Sequence, residues 1–210
     1  GNVVIAASGT LTLNNSSSVT GTINSNSASV GTLAIANSSS VVAAANIGGS
    51  TAATGLNAVT IGSGATLNLA TNNVTLRATT TSVTGTLTLG SGVVTGTIQG
   101  SSDGAGTVNF NASQTLAGNV GTSANSLASV VLASSVAITA NTFNIDATNI
   151  TLGASSSLTL TTGSLTGNVA LGSSSTLTIG SGGILGAVDG SVDGVGTINF
   201  TASNTLGSDV

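Results

Sequence analysis

Residues 85–116 read GTLTLGSGVVTGTIQGSSDGAGTVNFNASQTL, and residues 175–206 read STLTIGSGGILGAVDGSVDGVGTINFTASNTL. The second string follows the first at an offset of 90 residues without a gap, so that Phe110 corresponds to Phe200. A looser copy, GTLTLNNSSSVTGTINSNSASVGTLAIANSSSVV, occupies residues 9–42. Internal repetition is the sequence signature of an array of similar units. The repeats predict one repetitive domain over residues 1–210, with copies at about 1–45, 85–120 and 175–210.

Apolar residues alternate with small polar residues along the whole chain. Pairs at i and i+2 recur, as in Leu87/Leu89, Val108/Phe110, Leu177/Ile179 and Ile198/Phe200. A period of two predicts short β-strands with one apolar face, and the Gly, Ser and Asn clusters between them predict turns. We expect these eight residues to point into the core, where Phe110, Phe143 and Phe200 would be the only large side chains.

Two architectures fit strands at this spacing: an antiparallel sandwich or barrel, and a coiled solenoid. Within each copy a Gly-Thr-apolar strand returns after 21 or 22 residues, as from Gly85 to Gly106, which favours the solenoid. The sequence therefore predicts an all-β fold, a parallel β-helix (β-solenoid) of about 21 residues per coil and roughly ten coils. The stretch Val41–Gly55 lacks clear alternation, and we expect it to be a longer loop or an irregular coil.

The composition excludes several classes of partner. Charged residues make up 3% of the 210 residues, Arg77 is the one basic residue, and His, Cys and Pro are absent. Nucleic acid and anionic lipid are bound by clustered lysine and arginine, so we expect neither as a partner. No apolar run is long enough for a membrane-spanning helix, and we expect no signal peptide in this segment. A mean hydropathy of +0.52 with a net charge of only −4 opposes disorder.

The recurrent strings GTLTL, GTVNF and GNV, in a cysteine-free chain rich in Ser, Thr, Asn and Gly, resemble the passenger regions of bacterial autotransporter surface proteins. The rickettsial outer-membrane surface antigens are the most similar group. This resemblance implies a secreted, right-handed β-helix at the bacterial cell surface that acts in adhesion or as a protective coat. No functional residue of that family maps onto a position of this chain.

The sequence offers few metal ligands. Asp-Gly-x-Gly occurs at Asp103–Gly106 and Asp193–Gly196, which predicts turns entering strands. Calcium takes about six to eight oxygen ligands, which β-rolls supply from tandem Gly-Gly-x-Gly-x-Asp repeats that this chain lacks. Asp189 with Asp193 is the closest acid pair, and weak calcium binding there is left open.

The chain has few residues that could act in catalysis. A nucleophilic hydroxyl needs a base such as His or Lys, and the chain contains neither. Glycoside hydrolysis needs two separated carboxylates, whereas Asp189 and Asp193 are expected in one turn. Arg77 is predicted to be a solvated residue at a strand edge. We therefore predict no enzyme, no cofactor, and no catalytic, cofactor-binding or metal-binding residue.

Thr-x-Thr pairs occur at Thr10/Thr12, Thr86/Thr88 and Thr176/Thr178, among others, and would resemble a solenoid ice-binding face if they were stacked regularly. Ala34, Asn68 and Asn109 interrupt the matching positions, so the β propensity of threonine is the favoured explanation.

The leading hypothesis is an extracellular structural or adhesive β-solenoid in a cell-surface coat, adhesin stalk or filament. The alternative is a ligand-reading solenoid, for ice or glycan, that uses a Thr/Asn/Ser face. Both ends of the sequence lie inside repeats without a recognisable cap, so we expect either a piece of a longer chain or end-to-end self-association. A host or surface ligand is left open.

Overall fold

The computed structural model describes residues 1–49, 51–70, 73–190, 192 and 195–204. Within this part the chain forms 22 β-strands, a single short 3-10 turn at Ala52–Thr54, and no α-helix. None of these described segments contains a helix that is long and apolar enough to cross a membrane. The strands are β1 (Val3–Ile5), β2 (Thr10–Leu13), β3 (Ser17–Val19), β4 (Ile23–Ser25), β5 (Val30–Ile35), β6 (Ser40–Ala43), β7 (Leu56–Ile61), β8 (Thr66–Asn68), β9 (Leu76–Val83), β10 (Thr86–Leu89), β11 (Val94–Gly100), β12 (Thr107–Phe110), β13 (Gln114–Thr115), β14 (Leu127–Leu132), β15 (Ala137–Asn141), β16 (Ile145–Leu152), β17 (Ser157–Leu160), β18 (Leu165–Leu171), β19 (Thr176–Ile179), β20 (Ile184–Leu185), β21 (Val188–Gly190) and β22 (Thr197–Phe200).

The strands pair in parallel with strands about 20 residues further along the chain. Leu67 of β8, for example, pairs with Leu87 of β10, which pairs in turn with Val108 of β12. Because a parallel partner at this separation requires the chain to return to the same side, each interval is one coil of a solenoid. The predicted parallel β-solenoid is confirmed.

Each coil contributes to three faces, which are numbered here in chain order. Face 1 contains β1, β4, Ile47, the starts of β9 and β11, β13 with Ala117, and then β15, β17, β19 and β22. Face 2 contains β2, β5, β7, the ends of β9 and β11, Val120, the starts of β16 and β18, and β20. Face 3 contains β3, β6, β8, β10, β12, β14, the ends of β16 and β18, and β21. Face 1 passes through ten levels, in agreement with the predicted number of coils.

The alternation of the sequence builds the core as vertical columns. On face 3 the inward column runs through Val41, Leu67, Leu87, Val108, Val130, Ile150 and Val169, and each is at most 2% exposed. Burying one such side chain stabilises a fold by about 1.5–3 kcal/mol. The adjacent column, which includes Asn68, Thr88 and Asn109, points outward. Apolar-in, polar-out alternation is therefore what holds the coils together.

Recurrent four-residue turns join the faces. In Gly153–Ser156, both the backbone N–H and the Oγ of Ser156 donate to the carbonyl oxygen of Gly153, at 3.1 and 2.8 Å. Ser155 has a φ of 57°, and Ser174 takes the same conformation in the corresponding turn one coil later. Gly64, with a φ of 65°, is the third residue of an equivalent turn at residues 62–65. The Ser and Gly clusters are thus tight turns whose third residue lies in the left-handed region.

The three copies of the sequence repeat lie on three different faces. Their GTLTL-like strings form β2 on face 2, β10 on face 3 and β19 on face 1. Leu87 of β10 pairs with Leu67 and Val108, whereas its counterpart Leu177 pairs with Leu158 and Ile198 in a separate sheet. The offset of 90 residues thus corresponds to four coils and one additional face. Identical sequence therefore does not produce an identical surface.

The phenylalanines differ from the expectation that all three fill the core. Phe110 is fully buried, but Phe200 is 43% exposed and Phe143 is only partly buried against the core. Phe200 lies in register with the buried Ile179, yet β22 pairs with β19 on one side only within the described residues. The prediction for Phe200 was wrong because burial requires a coil on both sides.

The stretch Val41–Gly55 forms an irregular coil, as expected, although its first residues belong to β6. Ile47 carries face 1 alone at this level, pairing with Ile23 below and with Leu76 above. The separation from Ile47 to Leu76 is 29 residues, the longest coil interval on this face, and the coil contains the 3-10 turn.

Candidate functional site

Asp103 lies in the predicted turn, and its carboxylate joins that turn to the next coil. Its Oδ1 accepts hydrogen bonds from the Oγ of Ser126 at 2.6 Å and from the backbone N–H of Ser126 at 3.3 Å. The same Ser126 Oγ accepts from the backbone N–H of Gly104 at 3.1 Å. These bonds, first of all that from the Ser126 hydroxyl, lower the pKa of Asp103. The Asp-Gly turn thus fastens two coils together.

A polar groove of about 280 Å³ crosses three coils where face 1 turns into face 2. It is lined by Asn119, Gly121, Thr122, Ser123, Asn144, Asp146, Ser164 and Thr166. Asp146 is its acid, and partial burial raises the pKa of this carboxyl, with a smaller contribution from the negative charge of Asp103. No motif in the sequence marks Asp146 as part of a site.

Asparagine side chains along this edge hydrogen-bond to the coil above. Oδ1 of Asn144 accepts from the backbone N–H and the Oγ of Ser164, at 2.9 and 3.1 Å. Asn119 makes the same contact to the N–H of Asn144, and in the first coils Asn2 and Asn46 make it at another corner, where face 1 begins. The groove's amide oxygens are therefore already engaged in holding successive coils in register, which favours a structural role for them.

Asp189 lies on the outward column of face 3, in β21, beside Ala170 of β18. Its suggested calcium partner Asp193 lies outside the described residues. In the part of the chain that the structure describes, no three His, Cys, Asp or Glu side chains come together as metal ligands. Asp189 instead borders a shallow groove with Asn149, Thr151 and Asn168. The acid pair at which weak calcium binding was left open therefore lies only partly within the described residues.

Arg77 is not at a strand edge. It lies in β9, which is paired with β7 on one side and β11 on the other, and its backbone N–H donates to the carbonyl of Ile47 at 2.8 Å. The side chain is half-buried in a second groove, of about 300 Å³, with Thr79, Thr95 and Gly96. The prediction that Arg77 is a solvated residue at a strand edge is therefore wrong, because neighbouring coils pair with the chain on both sides of it.

Outward threonines stack in a column of three on face 3, Thr66, Thr86 and Thr107, and in a longer column on face 1. On face 1, Thr115, Thr139, Thr159 and Thr178 pair one above the other, and Asn199 continues the column. The second outward column on this face is mixed: Ala137, Ser157, Thr176 and Thr197.

The Thr-x-Thr pairs themselves do not stack on one another. Thr10/Thr12 lies on face 2, Thr86/Thr88 on face 3 and Thr176/Thr178 on face 1. The pairs that would resemble an ice-binding face if they were stacked are thus divided among three surfaces, because the repeat copies that carry them lie on three faces.

The chain was compared with models of protein families, with curated proteins and with solved structures, and none of them matched.

Proposed function

We propose that this chain is part of the shaft of an extracellular surface protein, in a coat, an adhesin stalk or a filament. One observation supports this role above the others: the repeat copies keep their inward apolar pattern while their outward residues turn to three different faces. A ligand-reading array needs its repeated side chains on one surface, whereas a shaft needs only an uninterrupted core.

The shape of the isolated protein tests the shaft. Ten levels at an interstrand spacing of about 4.8 Å give a straight body about 45 Å long. Small-angle scattering of the purified chain should give an elongated particle of uniform cross-section. A compact, near-spherical particle would contradict the proposal.

The surface location rests on the resemblance to passenger regions and on a composition without cysteine and nearly without charge. Antibodies raised against the folded chain should label intact cells of the source organism. Labelling that requires permeabilised cells would place the protein inside and remove this part of the proposal.

We further propose that additional coils cover the open edges of the solenoid, from a continuing chain or from a second copy. β1 and β22 each pair on one side within the described residues, and Val4, Leu185 and Phe200 are exposed beside such edges. Open edges template further strand pairing unless they carry charge or proline, and neither marks these strands. Sedimentation over a hundredfold range of concentration tests the second copy: growing species support it, and a constant monomer opposes it.

A second candidate function is ligand reading by the regular threonine column of face 1. Thr139, Thr159 and Thr178 repeat at the interstrand spacing, which is the regularity that a lattice-matching surface requires. A measurement of ice recrystallisation with the wild type and with Thr159→Val decides this. Inhibition that the variant loses favours ice binding, and absence of inhibition in the wild type rejects it.

A further inference from the structure

The one cationic side chain of the protein lies in a groove that its neighbours leave open. Arg77 is adjacent to Leu76, which pairs with Ile47 below, so that Gly48 lies beneath Arg77. A Cβ on Gly48 would overlap the backbone carbonyl of Arg77, so this position accepts only glycine. On the coil above, Arg77 pairs with Thr95, and Gly96 follows with a φ of 90°. Gly96 lines the groove beside Arg77, whereas Gly48 allows the coil below to approach the backbone of Arg77 closely.

The groove that results has a volume of about 300 Å³ and holds an unsatisfied donor. Besides Arg77 it is lined by the hydroxyl-bearing residues Ser29, Thr79 and Thr95, by Gly55 and Gly96, and by the apolar residues Leu56 and Ala78. The Nε of Arg77 is buried and has no hydrogen-bond partner among the described residues. A buried donor on a charged group is costly when unpaired, so a rotation of the Arg77 side chain that brings its Nε–H to an acceptor in the groove would relieve that cost.

The chemistry of the lining defines the acceptor. A guanidinium offers parallel N–H donors that match the two oxygens of a carboxylate or another oxyanion. The lining residues include no acidic side chain in the described part of the chain, so an entering anion meets no adjacent negative charge. The surrounding hydroxyls and backbone groups are suited to the hydroxyls of a sugar. We propose that the Arg77 groove binds the carboxylate of an acidic saccharide.

This binding site goes beyond the proposed shaft, because it gives one coil a ligand of its own. It requires only a folded coil around Arg77 and does not depend on rod length, surface display or assembly. Failure of either proposal therefore leaves the other unaffected.

Nuclear magnetic resonance can observe this site without interference from other cations. The chain has one arginine and no Lys, His or Trp, so its arginine Nε–H signal is unique. Glucuronate at constant ionic strength should shift this signal to saturation in the millimolar range, together with the backbone amides of Thr95 and Gly96. Glucose, which has the same ring without the carboxylate, should shift none of them.

Variants separate a designed site from general attraction of anions. Arg77→Lys keeps the charge but loses the parallel donors, and should weaken glucuronate binding at least tenfold as read from the backbone amides. Thr95→Ala removes a hydroxyl from the groove and should weaken binding severalfold. Thr60→Ala, on face 2 outside the groove, is the matched control and should bind as the wild type does. Well-dispersed amide spectra show that each variant is folded.

Three outcomes would overturn the proposal. The first is no shift with glucuronate at tens of millimolar, and the second is an equal shift with glucose or with sodium chloride. The third is a response to glucose 6-sulfate without one to glucuronate, which would replace the carboxylate by a sulfate ester. Unchanged binding by both Arg77→Lys and Thr95→Ala would likewise show that the ligand lies elsewhere.

Discussion

Oδ1 of Asn119 accepts a hydrogen bond of 3.0 Å from the backbone N–H of Asn144, one coil above, and the side chain of Asn144 repeats this contact to Ser164 at 2.9 Å. In each case the amide oxygen of one coil receives the N–H of the next. These asparagines therefore reinforce the register of neighbouring coils at the corner where the backbone pairing of face 2 begins.

Replacement of Asn144 by alanine should lower the free energy of unfolding by about 1 kcal/mol, because the N–H and the hydroxyl of Ser164 lose their acceptor. Asn57→Ala is the control, since Asn57 is exposed near the start of β7, and it should change stability by less than about 0.5 kcal/mol. Denaturant unfolding followed by circular dichroism measures both. Equal effects would show that the Asn144 contact contributes nothing to stability.

Phe110→Ala and Phe200→Ala should differ strongly although the two residues match in sequence. Phe110 is fully buried between Leu89 and Leu132, so its truncation should cost about 3–5 kcal/mol. Phe200 is 43% exposed on the last described coil, and its truncation should cost about 1 kcal/mol or less. Thermal melts of the two variants give the comparison. Similar losses would mean that Phe200 is covered in solution, as self-association predicts, and a repeat at low concentration would identify that cause.

The free energy of unfolding should depend on pH through the carboxyl group of Asp146. Burial raises the pKa of Asp146 in the folded state, so the folded protein binds a proton that the unfolded chain releases between the ordinary carboxyl pKa and the raised one. The contribution of Asp146 to the free energy of unfolding therefore increases as the pH falls through the raised pKa, and this contribution is lost at higher pH. Asp146→Asn should be more stable than the wild type at pH 7.

Protonation of Asp103, at lower pH, should have the opposite effect on stability. Its pKa is lowered by the Ser126 hydrogen bonds, so its contribution is present above the ordinary carboxyl pKa and is lost as the pH falls through the lowered one. Melting temperatures from pH 7 down to pH 3 should thus rise slightly and then fall in the wild type. In Asp146→Asn the rise should disappear, and if it persists, another group causes it.

Cleavage by trypsin should require unfolding of the solenoid. The chain has one basic residue, and Arg77 lies in a strand that is paired on both sides. Cleavage after Arg77 requires the coil to open, so the native protein should stay intact and should be cut once after a pulse in denaturant. Gel electrophoresis would show two fragments under those conditions. Rapid cleavage without denaturant would show that this coil opens locally.

Replacement of a turn residue of positive φ by glycine should stabilise the protein. Ser155→Gly should raise the free energy of unfolding by about 0.5 kcal/mol, because relief of the positive φ outweighs the added flexibility of the unfolded chain. Ser156→Gly, one residue later, should lower it by about 1 kcal/mol, since it loses the hydroxyl bond to Gly153. Chemical denaturation of both variants tests the pair. A loss of stability in both would indicate that Ser155 is not strained.

The sequence pattern predicted the strands because the alternation of apolar and polar residues involves only neighbouring positions in the chain. Leu87 and Leu89 face inward, as expected, and the return of Gly85 at Gly106 gave the correct coil length. The position of each copy around the axis was not predictable in this way. It depends on the sum of all coil lengths between copies, including the irregular coil of Val41–Gly55, and small local differences accumulate.

The surface sites required information that no short motif contains. Arg77 was expected in solvent because a lone cation in a strand is usually exposed, but its groove is completed by Gly55 and Gly96 on neighbouring coils. Burial raises the pKa of Asp146, and the charge of Asp103, 43 residues earlier, adds to this shift. Neighbours across coils are distant in sequence, and their side chains determine what each site can bind.

The displacement of the repeats by one face has a consequence for how such a chain can vary in length. Exchange between the copies that begin at residues 85 and 175 would remove 90 residues and join two matching strings with the alternation intact. The core would continue across the join, yet every later segment would occupy the preceding face of the solenoid. Gain or loss of one repeat unit is therefore also a rotation, and whatever this body carries beyond that point would face another direction.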